Sequence, residues 1–258
     1  MTNAKYEAWM DGAALGGISP DLYISEIACR PAALSVSGSE IVGRHGEQAG
    51  ASKWKGATVR VSFILKKSTG PQRQAIINQV ARWAMGTELE ISDRPGEVLQ
   101  VICTEPPYVP DHLSWADSIS ITFQTMEKPF WEKKTPETLT LESGTTGSGE
   151  LYVPGNIDEA VVEVEAAPVS GTLANITLTV GDTSITLNGI NATAEAPLRI
   201  AYDRRGIQSI KRGTTSVMDK RTAASADDLL AKCGAVSAVS FSASASASVT
   251  FRARGLCV

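Results

Sequence analysis

Histidine is almost missing from this chain of 258 residues: only His45 and His112 occur. Neither lies in a pattern with a nucleophile or metal partners, such as GxSxG, HExxH or a cysteine/histidine signature. Cysteine is nearly as scarce. Cys29, Cys103, Cys233 and Cys257 form no CxxC pair and have no zinc spacing. They read as small buried apolar residues of a reducing compartment, with a Cys233–Cys257 bridge as the one alternative. No apolar run approaches the roughly 18 residues of a membrane span. The opening MTNAKYEAW is not the pattern of a signal peptide, so the chain is expected to be made in a cytoplasm, with no membrane insertion.

Excess positive charge is lacking as well. There are 14 basic against 15 acidic residues up to Thr135, and 10 against 13 after it. Neither part carries an electrostatic footprint for a nucleic acid. Tryptophan is confined to Trp9, Trp54, Trp83, Trp115 and Trp131. The remainder is rich in Thr, Ser, Ala, Val and Gly. Glycan recognition commonly uses an aromatic platform, and only Tyr152, Tyr202, Phe241 and Phe251 are aromatic beyond Trp131. A carbohydrate-binding accessory or adhesin module is therefore the alternative reading rather than the first.

What is present is a mixed first part and a strand-rich second. The polar stretch 132–150 sets an expected domain boundary near Thr135, giving 1–135 and 136–258. Asp21 to Cys29 alternates as a strand, and Thr58 to Leu65 alternates better, with Ile64 intruding. The glycine-rich Gly43 to Gly56 reads as a long projecting loop. A helix is predicted over about 71–85, with Pro71 in its first turn and an apolar stripe through Ile76, Ile77, Val80, Ala81, Trp83 and Ala84. Gly86 reads as a left-handed stop. A hairpin over about 87–103 follows, turning at Asp93-Arg94-Pro95-Gly96, and Ser118 to Gln124 forms a further strand.

In the second part, Ala160 to Ala166, Ala174 to Val180, Thr183 to Leu187 and Pro197 to Tyr202 read as strands. Gly181-Asp182 is a two-residue hairpin connection. Ser225 reads as the N-cap of a short helical turn in which Asp227 and Asp228 sit near the positive end. That role accounts for the paired acids without catalysis. Gly144 to Gly149 (GTTGSG) lacks the GKS or GKT ending of a phosphate loop and reads as linker. From Val239 to Phe251 apolar residues alternate strictly with Ser or Thr, as one long strand or a hairpin. Many short strands with glycine turns predict a β-sandwich.

The order of these pieces resembles the distal tail protein family of siphophages. The resemblance rests on Trp9 and Asp11-Gly12, on Gly43-Arg44-His45-Gly46, and on the helix ending ARWAM followed by LEISDRPGEVLQV. It rests also on Pro129-Phe130-Trp131, Gly155-Asn156, ITLTVGDTSITLNG, Tyr202-Asp203 and Ser225 to Leu230. It departs at His45, where an acid is common, and at Cys233-Gly234, where a Pro-Gly turn is usual. There is no inserted receptor-binding module. The resemblance implies a mainly β protein, with an α+β N-terminal ring-forming domain and a C-terminal galectin-like β-sandwich. It implies a non-enzymatic virion structural protein of the tail tip or baseplate, without cofactor or metal, assembled in the bacterial host cytoplasm. Family members form a hexameric ring. The implied partners are further copies of the chain, the tail tube protein, the tape measure protein, tail-tip or baseplate hub proteins and a receptor-binding protein. Arg44, His45, Trp54 and Lys55 are the candidate contact residues. Trp54 is either a local anchor or an interface residue, and Trp83 is the expected structural anchor of helix to sheet.

Overall fold

The computed structural model describes residues 6–40, 47–66, 70–108, 118–125, 128–203 and 206–258, with backbone alone at 38–40 and 47–52. Contacts divide it into two compact units, the first ending at Trp131 and including Val258, the second Glu132–Cys257.

In the first unit, β1 (Ala8–Met10) and β2 (Ala13–Ala14) form a short hairpin through Asp11-Gly12. Strand β3 (Leu22–Arg30) belongs to a second sheet, and β4 (Leu34–Glu40) and β5 (Glu47–Trp54) pair only with each other among the described residues. Strand β6 (Thr58–Leu65) has the bounds its alternation predicts, and α1 (Gly70–Trp83) follows. Then come β7 (Glu88–Ile91), β8 (Glu97–Gln100), β9 (Ile102–Glu105) and β10 (Ile119–Gln124), while β11 (Trp131–Lys133) crosses the boundary between units. The order β3-β6-β10-β9 makes an antiparallel sheet of four strands, and β2-β1-β7-β8 run side by side in another.

The core face of the four-stranded sheet carries Val59, Val61, Phe63, Leu65, Ile119, Ile121 and Phe123, all buried. Helix α1 contributes Ile77, Val80 and Trp83, which recur every three residues and so share one face. The apolar stripe of the sequence thus decides which side of the helix is covered. Arg82 lies in the last turn, where a cation complements the helix dipole.

Two expectations change here. Gly86 does not adopt a left-handed backbone. It is glycine because of close approach: a Cβ there would lie 2.3 Å from Cγ of Met10 and 2.5 Å from Oδ2 of Asp11. The Asp11 carboxylate needs that space, because its Oδ1 accepts the Glu88 N–H at 2.9 Å and so fastens the start of β7 to the β1–β2 turn. The hairpin over 87–103 is two elements. Strands β7 and β8 pair through Leu89↔Leu99, with Gly96 at φ 76 in the turn, whereas β9 leaves for the four-stranded sheet and pairs with β10. Periodicity could not separate β8 from β9, because a strand's alternation continues across a change of sheet.

The second unit begins with β12 (Glu137–Val153), followed by β13 (Glu159–Pro168), β14 (Leu173–Val180) and β15 (Thr183–Ala192). Strands β16 (Leu198–Tyr202), β17 (Gln208–Arg212), β18 (Thr215–Ser216) and β19 (Leu230–Lys232) lead to β20 (Ala235–Ala253) and β21 (Leu256–Cys257). Strand β20 is the long-strand alternative, 19 residues without a hairpin. Val239–Ala243 pair with β14 and Ala247–Ala253 pair with β13, while β12 runs along the opposite edge of β20. The Ala/Ser run at 243–246 is where the partner changes. Small side chains leave the backbone free to bend there, and Ser244 Oγ accepts the Ala174 and Asn175 N–H groups. The sheet packs its inner face on one apolar cluster that includes Val162, Ile176, Ile185, Ile200, Phe241 and Phe251.

The predicted linker is therefore the middle of β12. Its glycines make room for the core rather than flexibility: a Cβ on Gly147 would lie 2.5 Å from the ring of Phe241, directly across the ladder. The predicted helical turn at Ser225 is absent too. Ser225 Oγ instead accepts the Thr186 N–H at 2.9 Å and donates to the Thr186 carbonyl at 3.2 Å. Thr222 N–H also donates to that carbonyl, and Ala226 N–H to Ser184. The segment thus covers the outer edge of β15, which would otherwise present free ladder groups.

Asp227 pairs with Arg221 at 3.2 Å, and Gln208 Nε2–H donates both to Tyr202 Oη at 3.1 Å and to the Asp227 carbonyl at 2.9 Å. Burial pushes the Tyr202 phenol up to about 12, against the Gln208 hydrogen bond and with the help of nearby Asp228. The raised value means the fold favours the neutral phenol. Stability from this group is complete below about 10 and is lost as pH rises through about 12. In an alkaline titration followed by phenolate absorbance, Tyr202 should be the late component, and Tyr202→Phe should remove it. An unchanged late component in that variant would overturn the assignment.

Candidate assembly surface

The described part of the predicted projecting loop, Gly43 to Gly56, is mostly strand β5, which pairs with the preceding β4 as a two-stranded ribbon. Leu34 pairs with Trp54 and Val36 with Ser52, so Leu34, Val36 and Trp54 lie on one face. That face is open: Leu34 is 50 % exposed, Val36 52 % and Trp54 37 %. Alternation at Leu34-Ser35-Val36-Ser37 is a signal of the outgoing strand that the sequence reading did not use. The returning strand, Glu47–Trp54, is hidden in sequence by its small and polar residues. A two-stranded ribbon is marginal by itself in water, so this one needs support at its base or partners along its length.

Support exists at the base. The Trp54 ring meets Phe130 edge-on, with centroids 5.4 Å apart and planes at 83°. The Lys55 N–H donates to the Ala33 carbonyl at 2.8 Å, and its side chain is exposed. Of the predicted contact residues, Trp54 and Lys55 therefore sit together where the ribbon joins the unit. Arg44 and His45 lie outside the described residues, as does His112.

Trp83, the expected anchor of helix to sheet, lies in the last turn of α1. It is 9 % exposed, its Nε1–H donates to the Ala13 carbonyl at 2.7 Å, and its ring meets Phe123 edge-on at 6.0 Å. One side chain thus ties α1 to the β1–β2 hairpin and to the four-stranded sheet.

The outward face of that sheet is largely polar. Glu26, Ala28, Arg30, Arg60, Ser120, Thr122, Gln124 and Glu105 lie on it, with Arg60 donating to Ser120 Oγ at 3.1 Å and Thr122 to Glu105 at 2.6 Å. Its outer strands, β3 and β9, expose Tyr23 and Ile102. Outer strands offer ladder groups to another chain.

The cysteines are not the buried residues expected: Cys29 is exposed and Cys103, Cys233 and Cys257 are half-buried free thiols, and partial desolvation pushes the thiols of Cys29, Cys103 and Cys233 up, away from the reactive thiolate. No group of three His, Cys, Asp or Glu that could hold a metal occurs among the described residues. A shallow open depression of about 470 Å³ in the second unit is lined by Asn191, Thr193, Glu195, Arg212 and Thr215, with no aromatic ring for a sugar to stack on.

No protein-family model and no curated protein sequence matches the chain. Solved structures do. The crystal structure of the SPP1 Dit (gp 19.1) protein, described as a paradigm of the hub adsorption apparatus in phages infecting Gram-positive bacteria, superposes with a TM-score of 0.71 at 13 % identity, covering 96 % of this chain and 98 % of that one. A chain of the phage P2 baseplate in its activated conformation with Ca gives 0.55 at 8 % identity, with 97 % of each covered. The same baseplate with Sr gives 0.53 at 10 %, covering 96 % and 97 %. The chain has, along nearly its whole length, the fold of the phage Dit hub and baseplate proteins.

Proposed function

We propose that this protein is a structural hub of a phage tail tip: a hexameric ring joining the tail tube to tail-tip or baseplate and host-adhesion proteins. The observation that carries the reading is the likeness to a hub protein over 96 % of this chain and 98 % of the other. Partial likeness would fit a shared module, but likeness across both compact units fits a shared role. In this reading the first unit, 1–135 in the sequence division, builds the ring, and 136–258 forms a galectin-like sandwich outside it. The protein is not an enzyme and needs no cofactor. Its partners are further copies, the tail tube and tape measure proteins, tail-tip or baseplate hub proteins and a receptor-binding protein. It is made and assembled in the host cytoplasm and resides in the virion.

Ring formation by identical subunits needs two different patches that meet head to tail. The outer strands β3 and β9 of neighbouring copies are suited to meet in this way. The apolar face of the ribbon, Leu34, Val36 and Trp54, is suited to a neighbouring subunit, with Lys55 exposed at its base; Arg44 and His45 are the further contact residues of this reading.

Native mass spectrometry and negative-stain microscopy of the purified chain, alone and with the tail tube protein, test the proposal. A six-fold ring is the expected species. A strict monomer in both preparations that binds oligosaccharides would sink it in favour of the carbohydrate-binding alternative. Val36→Lys places a charge on the open ribbon face. It should abolish the ring while leaving the monomer's melting temperature within the change expected of about 0.5 kcal/mol. An intact ring in this variant would remove the ribbon from the interface.

A further inference from the structure

We propose that Asn188-Gly189 is a deamidation site and that the Asn175 side chain holds it in check. It is the only Asn-Gly step in the sequence. Glycine after asparagine is the most permissive neighbour for this chemistry, because no Cβ obstructs ring closure. The Gly189 nitrogen, once it gives up its proton, attacks Cγ of Asn188. A C–N bond forms, ammonia leaves, and a five-membered succinimide results. Water then opens the ring at either carbonyl, leaving aspartate or a β-linked isoaspartate at 188. Water is the only further reactant, and no oxidant or reductant is needed.

The placement of the pair makes the reaction accessible. Asn188 and Gly189 are both exposed on β15, the outer strand of its sheet. They lie where β15 departs from the register of β14: Asn175 faces Asn188, but Leu173 faces Ala192. The extra residues on β15 form a bulge, with Gly189 at φ 70 and Asn191 at φ 50. The covering segment described above grips β15 at Ser184, Thr186 and Leu187, ending one residue before Asn188.

At the bulge, the Gly189 N–H donates to Oδ1 of Asn175 at 2.9 Å. That nitrogen is the nucleophile, and it must lose the same proton that Asn175 holds. The neighbouring carboxamide therefore raises the cost of the first step while leaving Asn188 in open solvent. Conversion would place a negative charge on the sheet's outer strand. The isoaspartate product would also lengthen the backbone by one atom inside the bulge.

The whole chain is incubated at mildly alkaline pH, and the peptide containing residue 188 is followed by mass spectrometry for exchange of the amide for an acid. Native protein should convert slowly and urea-unfolded protein fast, with Asn188 ahead of every other asparagine in the unfolded chain. Native Asn175→Ala should convert roughly five- to ten-fold faster than wild type, the factor that one lost hydrogen bond supplies. Asn175→Asp keeps an acceptor oxygen and should stay slow. A folded Asn175→Ala that converts at the wild-type rate would overturn the guard. Native wild type converting as fast as unfolded protein would do the same without any variant, and a faster asparagine elsewhere in the unfolded chain would overturn the site.

Discussion

Trp83→Ala should destabilise the first unit by about 3–5 kcal/mol, the range for deleting a large buried aromatic. Three losses combine. The ring is 9 % exposed, its edge packs on Phe123 at 6.0 Å, and its Nε1–H is bonded to the Ala13 carbonyl at 2.7 Å. Ala13 is itself exposed, so water replaces that partner cheaply and the cavity dominates. For a unit of this size the melting temperature should fall by roughly 10–20 °C. Trp83→Phe, which keeps most of the volume, should recover the larger share. Differential scanning calorimetry on the monomer checks both variants. No change in the first unit's transition would show that α1 is held by other contacts.

Gly155→Ala should be comparably severe in the second unit, for a different reason. Gly155 has φ 143, a backbone region that residues with a Cβ rarely adopt, and an added Cβ would lie 2.2 Å from the Leu256 carbonyl oxygen and 2.9 Å from its nitrogen. Those atoms are backbone and cannot rotate away. The parallel bridge between Gly155 and Leu256 and the Asn156 N–H bond to the Leu256 carbonyl at 3.0 Å would have to open. Strain plus overpacking amounts to about 3–5 kcal/mol. Gly171→Ala is the control: its φ of 72 is also positive, but a Cβ there meets nothing within 4 Å. It should cost only about 1–2 kcal/mol, from backbone strain alone. Urea unfolding of the two variants separates the causes. Equal losses would mean that the contact with Leu256 contributes nothing.

The elements most legible in the sequence were those whose side chains face two different media. Thr58 to Leu65 and Val239 to Phe251 alternate because one face of each is covered and the other is not, and both are strands. Helix α1 showed its buried stripe for the same reason. Trp83 could be singled out because a large aromatic on such a stripe has few places to go but the core.

What misled was chemistry that serves two purposes. Glycine reads as a turn or linker, yet Gly147 and Gly86 are glycine because a ring and a carboxylate occupy the Cβ position. Ser225 reads as a helix cap because its oxygen can accept a backbone N–H, and it accepts one from β15 instead. The donor is chosen by what lies near in space, about which a local pattern is silent. The returning strand β5, Glu47–Trp54, has no apolar alternation, since it takes its conformation from pairing with β4.

The sequence by itself determined the strand-rich character and the buried stripe of α1, because composition and period are properties of single segments. Tertiary structure decided which strands share a sheet, where β20 changes partners, and that Leu34, Val36 and Trp54 form one open apolar face. Those outcomes depend on register and on pairs more than a dozen residues apart, and each pairing is selected by the burial of the whole core rather than by either segment alone.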